Sequence, residues 1–266
     1  MIAGLRIALV GLVFALLTLA LLPVQLAALG LGHPLMRRLP RWWHSLMCRA
    51  IGLRVRSHGR LSTARPLLLV SNHVSWKDIL VLGSVADVVF IAKSEVRTWP
   101  LLGWLARLQR SVFVERQQRR KTGAQVSEVS QRLIAGEVVV LFAEGTTSDG
   151  NRVMPFNASL FGAASAAVAV APEGRVHIQP VSIAYVGLHG MPMGRYHRPV
   201  AGWPGDVALG PHLLKVLRHG ALDVDVIFAE PVAFDAGTDR KKTARLVEAR
   251  VRDGLIRALG GRLDAG

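Results

Sequence analysis

The sequence predicts an α/β protein, a mostly parallel central sheet flanked by helices, with an N-terminal hydrophobic membrane-anchoring helix or helix pair. Three observations lead there. From Pro66 onward short apolar runs alternate with stretches of helical periodicity, which is the pattern of strands joined by crossover helices. Two of the runs, Leu67-Leu68-Leu69-Val70 and Val138-Val139-Val140-Leu141-Phe142, read as buried strands. Residues 1 to about 31 are almost wholly apolar, with Arg6 their only charge, long enough to span a hydrocarbon core of roughly 30 Å.

The apolar N-terminal run is much longer than the roughly 7 to 15 residues of a signal-peptide core. A retained anchor is therefore expected, although Arg6 and the small pair Ala27-Ala28 also suit a cleaved leader. Pro23 divides the run, so a bent, half-inserted helix pair and a straight span are both open. Arg37, Arg38, Arg41, Arg49, Arg54 and Arg56 follow, a basic excess that the positive-inside rule assigns to the cytoplasmic side. Residues 1–44 are accordingly expected to form the anchor and basic juxtamembrane segment, and 45–266 a catalytic domain on the cytoplasmic face of the inner membrane. Trp42 and Trp43 either rest at headgroup level or pack in the core.

Strands are expected at 67–70, 88–92, 111–114, 138–142, 178–185 and 223–228. Helices are expected near 77–85, 100–108, 122–135, 158–170 and 239–259. Thr122 is a fair N-cap and Gly136 a fair stop for the third of these helices. The helix near 100–108 carries Trp99 and Trp104 beside basic residues, which suits an interfacial segment, an acyl-chain groove or an ordinary buried helix. Active sites of parallel sheets form at the carboxyl ends of strands. His73, Arg116 and Glu144 each follow a predicted strand, so the topology brings three candidate groups to one edge.

Composition narrows the function classes. The formal charge of +15, from 33 Lys+Arg against 18 Asp+Glu, implies an anionic partner. With 51% hydrophobic residues a membrane surface fits better than nucleic acid, and no zinc-finger or RNA-recognition signature is present. Lone Cys48 excludes an internal disulfide framework. The nine histidines are scattered without ligand-like spacing, so no metal is expected.

The stretch Ser71-Asn72-His73-Val74-Ser75-Trp76-Lys77-Asp78 lies between a strand run and a helix run. Asn72, Ser75 and Asp78 could each simply cap the helix. On one continuous helix His73 and Asp78 would stand about 140° apart, at roughly 100° per residue. They meet only if His73 lies in the turn and Asp78 about a turn into the helix, where the carboxylate would hold the ring and leave the other nitrogen as a general base. Farther on, Phe142-Ala143-Glu144-Gly145-Thr146-Thr147-Ser148-Asp149-Gly150 follows a strand, with a glycine for close backbone approach and hydroxyls suited to an anion. Lys93 and Arg116 add positive charge at neighbouring strand ends.

Asn72-His73-(four residues)-Asp78, then Val112-Phe113-Val114-Glu115-Arg116, Phe142-Ala143-Glu144-Gly145-Thr146 and Ile178-Gln179-Pro180-Val181-Ser182-Ile183 resemble the four ordered blocks of the glycerolipid acyltransferase family. The resemblance covers roughly residues 45 to 230. It implies transfer of an acyl group from a thioester, on acyl carrier protein or coenzyme A, to a lysolipid hydroxyl, without a further cofactor. By the same resemblance His73 is the base and Asp78 its orienting partner. Lys93, Phe113, Arg116, Glu144, Gly145 and Thr146 then bind the acceptor. Thr147 stands where many members have an Arg, and Arg152 is near enough in sequence to replace it. Lysophosphatidate is therefore the first expected acceptor and lyso-ornithine lipid the second. A non-catalytic basic lipid-binding protein is the alternative of another class.

Overall fold

The computed structural model describes residues 2–114, 122–205 and 207–263. The chain opens with two helices, α1 (Ile2–Gly30) and α2 (Leu35–Ile51). Strand β1 (Leu53–His58) and strand β2 (Leu67–Ser71) follow, then α3 (Lys77–Val85), β3 (Val88–Lys93), α4 (Leu102–Leu108) and β4 (Val112–Val114). The second half runs α5 (Thr122–Ile134), β5 (Val138–Phe142), α6 (Gly162–Val168), β6 (Arg175–Leu188), β7 (Met191–Pro192), α7 (Leu209–His219), β8 (Leu222–Phe228), β9 (Val232–Asp235) and α8 (Arg240–Leu259). The described strands make one sheet in the order β1-β8-β6-β2-β5-β3-β4, with β7 and β9 also paired to β6. Neighbours from β6 through β2, β5 and β3 to β4 run parallel, while β8 meets β6 antiparallel.

Side chains alternate across a strand, and here both faces are covered. Leu67 and Leu69 of β2 face a layer that includes Met47, Cys48 and Val81, on α2 and α3. Leu68 and Val70 face the other layer, with Val129, Leu133, Val247 and Val251 of α5 and α8. All five residues of β2 and of β5 are therefore buried. That explains why these two strands read as unbroken apolar runs.

The elements the sequence did not announce are polar or amphipathic. In β1 Arg54 and Arg56 alternate with apolar residues and pair with Asp223 and Asp225 of β8 at 2.9 and 2.8 Å. These two arginines, expected to belong to a juxtamembrane basic cluster, are thus sheet-edge partners of acids. The basic stretch before them is amphipathic α2, which buries Leu39, His44, Met47, Cys48 and Ile51 and leaves Arg37, Arg38, Arg41 and Arg49 exposed. It runs unbroken past residue 44.

Helix α1 is long and apolar enough to cross a membrane, its most apolar 18-residue stretch having a mean hydropathy of 2.7. Pro23 lies inside it without ending it. One face is fixed to the domain along its length. Arg6 donates to the Ile51 carbonyl at 2.8 Å, its guanidinium lying against Gly220. Trp43 packs edge-on to Phe14 and donates to Thr18 at 3.0 Å. At the far end Gln25 donates to the carbonyls of Met36 and Leu108, at 3.1 and 2.8 Å. The opposite face shows Leu5, Leu9, Leu12, Leu16 and Leu19, each more than half exposed. Trp42 and, on the other flank, Trp99, Leu101, Leu102 and Trp104 are exposed too.

Candidate active site

Parallel pairing of β2 with β5 sets Ser71 opposite Phe142, so the two chains leave the sheet together. Two residues later come His73 and Glu144. The Asn72 side chain continues the ladder on the other flank: its Nδ2 donates to the Ile183 carbonyl at 3.0 Å and its Oδ1 accepts from Ile183 N–H at 2.8 Å. His73 therefore occupies a turn tied to β6 and β5, before α3 begins at Lys77. Its ring stacks on Phe142, with centroids 4.0 Å apart and planes 15° from parallel.

Asp78 is the second residue of α3, closer to the helix start than the sequence suggested, and fully buried. Its Oδ2 lies 2.9 Å from His73 Nδ1 and accepts from the N–H groups of Val74 and Ser75 at 2.6 and 2.9 Å. Its Oδ1 accepts from the Tyr185 hydroxyl at 2.8 Å. Hydrogen bonds to an ionised group each contribute about 1.5–3 kcal/mol, and these donors compensate the carboxylate for lost water. An acceptor-only Asp78 assigns the proton to Nδ1 of His73. Nε2 is left with its lone pair and no partner among the described residues. The capping reading and the base reading thus describe one side chain: Asp78 closes the turn through its backbone bonds and orients the ring with the same oxygen.

Glu144 was expected at the acceptor headgroup. Its two oxygens instead meet the backbone, accepting from His73 N–H and Met154 N–H, both at 2.8 Å. Burial pushes its carboxyl up to about 8, against the two amide donors that favour the charged form. Between the unfolded value near 4.5 and about 8, the folded chain holds one more proton than the unfolded chain, so this contribution to stability falls as pH rises. Glu144→Gln should flatten that decline: wild-type stability drops by up to about 1.4 kcal/mol per pH unit between pH 5 and 8, and the variant loses most of this slope. Denaturant titrations at several pH values measure it, and parallel slopes would refute the assignment.

The other described candidates lie at or after the carboxyl ends of β3, β4 and β5. Lys93 ends β3 and is exposed, and the register places it beside Val114, next to Phe113 of β4. From the strand order, Lys93 lies two strands from His73, roughly 10 Å at the usual strand spacing. The Arg97 guanidinium covers the Phe113 ring at 5.6 Å. Gly145 adopts φ 75°, and Thr146 is exposed. Thr147 donates to the Trp203 carbonyl. Arg152 is exposed. Burial acts to raise the Asp149 carboxyl, but hydrogen bonds from Asn151 and the charges of Arg152 and Arg195 bring it below its ordinary value. Arg116 lies outside the described residues.

Sequence reading missed Tyr185 and Lys77. A signal for Tyr185 existed: on a strand it shares the face of Val181 and Ile183. Nothing in the sequence distinguished Lys77 from a solvated charge.

Residues 53–184 match the family described as Acyltransferase. A lyso-ornithine lipid O-acyltransferase of Rhizobium meliloti is 58% identical over 262 residues, which cover 98% of this chain and 90% of that one. This chain belongs to the acyltransferase family. A 1-acyl-sn-glycerol-3-phosphate acyltransferase of Neisseria gonorrhoeae is 39% identical over 113 residues, 42% of this chain and 43% of that one. The fold is that of the 1-acyl-sn-glycerophosphate acyltransferase PlsC from Thermotoga maritima, with a TM-score of 0.60 at 23% identity and coverage of 96% and 97% of the two chains.

Proposed function

We propose that this acyltransferase moves a fatty acyl group from an acyl thioester, on acyl carrier protein or coenzyme A, to the free hydroxyl of a lyso-ornithine lipid. The observation that carries the acceptor is the full-length likeness to a lyso-ornithine lipid O-acyltransferase, against a partial likeness to a 1-acyl-sn-glycerol-3-phosphate enzyme. It reverses the order expected from the sequence, where lysophosphatidate stood first. Thr147 agrees with it. A phosphate headgroup calls for a cation at that position, and the hydroxyl there is engaged with the Trp203 carbonyl.

The chemistry follows from the His73–Asp78 pair. Nε2 of His73 takes the proton of the acceptor hydroxyl as that oxygen attacks the thioester carbonyl. The tetrahedral adduct then collapses, the carbon–sulfur bond breaks, and the imidazolium returns its proton to the departing thiolate. Asp78 stabilises the imidazolium in between. Lys93 and Thr146, both exposed, are assigned to the acceptor in this reading, with Arg116 the third candidate.

The acceptor is insoluble in water, and α1 offers the means of reaching it. Because both ends of α1 are held on the domain, its bare leucine face lies in one leaflet beside the active-site domain, with the cations of α2 at the headgroups. The cytoplasmic side of the inner membrane is the side those arginines favour.

The test is turnover by purified membranes with each lysolipid in turn. Lyso-ornithine lipid should exceed lysophosphatidate in kcat/KM by at least about tenfold, the range open to a pocket reading one polar group. A preference for lysophosphatidate would sink the acceptor assignment.

A further inference from the structure

Lys77 is wholly buried next to the proposed base pair, and the mechanism above does not use it. Its Nζ donates to the Ala201 carbonyl at 2.8 Å and to Ser75 Oγ at 2.9 Å. The ammonium lies 5.4 Å from the Trp76 ring centroid and 5.3 Å from that of Tyr185. Aromatic faces attract a cation, but neither contact neutralises it. The Tyr185 hydroxyl in turn holds Asp78. The Lys77 ammonium thus lies against the ring whose hydroxyl holds Asp78.

We infer that Lys77 is a positioning residue whose buried ammonium fixes the pH range in which the His73–Asp78 pair accepts a proton. The inference rests on His73 being the base. When His73 takes the acceptor's proton it becomes a second cation beside Asp78, and Lys77 opposes that charge. Its contact with Ala201 also ties the His73 turn to the segment that covers it, where Trp203 N–H donates to the Val74 carbonyl at 2.8 Å.

The surrounding groups leave Lys77 prominent on the acid side of neutrality. Burial lowers Lys77 to about 7 while Asp78 pulls the other way, so it is charged below that pH. Burial pushes Glu144 up to about 8 and Cys48 up to about 12, and raises Tyr185 well above its ordinary value. Burial and the Lys77 charge bring His212 down to about 4. All four are neutral between pH 5 and 7. The charge of Lys77 then acts on Asp78. A unit charge roughly 10 Å away, at an effective dielectric constant of about 20, moves a titration by about one pH unit.

The test is the pH dependence of kcat/KM for lyso-ornithine lipid in wild type, Lys77→Gln and Lys77→Met. Glutamine keeps a donor for Ala201 and removes the charge. Its acid limb should move to higher pH by about half to one unit, and that of the methionine variant by as much, with a lower plateau. The midpoint of a limb does not depend on how much enzyme is active, so partial misfolding leaves the readout intact. Limbs that coincide with wild type, at whatever height, overturn the proposal. An active His73→Ala enzyme overturns it together with the reading of His73 as base.

Discussion

Replacing His73 by alanine is expected to lower kcat by about 10²–10⁴-fold, the usual worth of a positioned general base, and to leave the melting temperature near wild type. The ring is partly exposed, its side chain 18% accessible. The bonds that build the turn come from its backbone N–H to Glu144 and its carbonyl from Ser148. The acceptor's KM should change little, since the imidazole acts on the proton in flight. Asp78→Asn separates the two tasks of the carboxylate. An amide cannot accept from Val74, Ser75 and His73 with one atom and from Tyr185 with the other, because one of the two is an NH₂ group. Asp78→Asn should therefore lose a similar factor in kcat and also melt earlier, having left buried donors unpaired. Steady-state kinetics beside thermal melts measure both. A His73→Ala enzyme with near-wild-type turnover would remove the basis for acid–base chemistry here.

The second large effect lies away from the site. Gly83→Ala should destabilise the protein by at least about 1–3 kcal/mol, the range for forcing extra atoms into a packed core. A methyl group at Gly83 would come within 1.8 Å of His44 Nδ1 and 2.6 Å of its Cε1. The ring has nowhere to go: His44 is 4% exposed, and Trp43 stands edge-on at 5.3 Å. Burial holds the imidazole down to about 4, so it packs as a neutral group. Relief then requires α2 to move off α3, and α2 carries α1. The variant should lose membrane retention as well as melting temperature, and His44→Ala in the same chain should restore part of both. An unchanged melting curve for Gly83→Ala would show that the two helices do not pack as described.

The parallel core was legible because β2 and β5 are covered on both faces, which leaves sequence runs such as 138–142 with no polar residue to confuse the reading. The His73–Asp78 geometry was legible for a steric reason, that two residues five apart cannot meet on one helix. What escaped was whatever depends on contacts distant in sequence. β1 looks like a basic run because the acids that pair with it are about 169 residues away. Tyr185 meets Asp78 across 107 residues. Glu144 was assigned a ligand because nothing local shows that the amides of His73 and Met154 already occupy its oxygens. Arg198 is buried because it bonds Asn151, 47 residues away, as well as the nearby Met193 carbonyl.

The clasp between Asn72 and Ile183 bears on motion. Two side-chain bonds imitate one more rung of the β2–β6 ladder, and the next three amides, of His73, Val74 and Ser75, are each held by a buried carboxylate. A segment with the outline of a loop thereby acquires the opening free energy of the sheet interior. The His73 turn is in position for as long as the core is folded. In the proposed reaction, gating of turnover then comes from lipid and thioester reaching it.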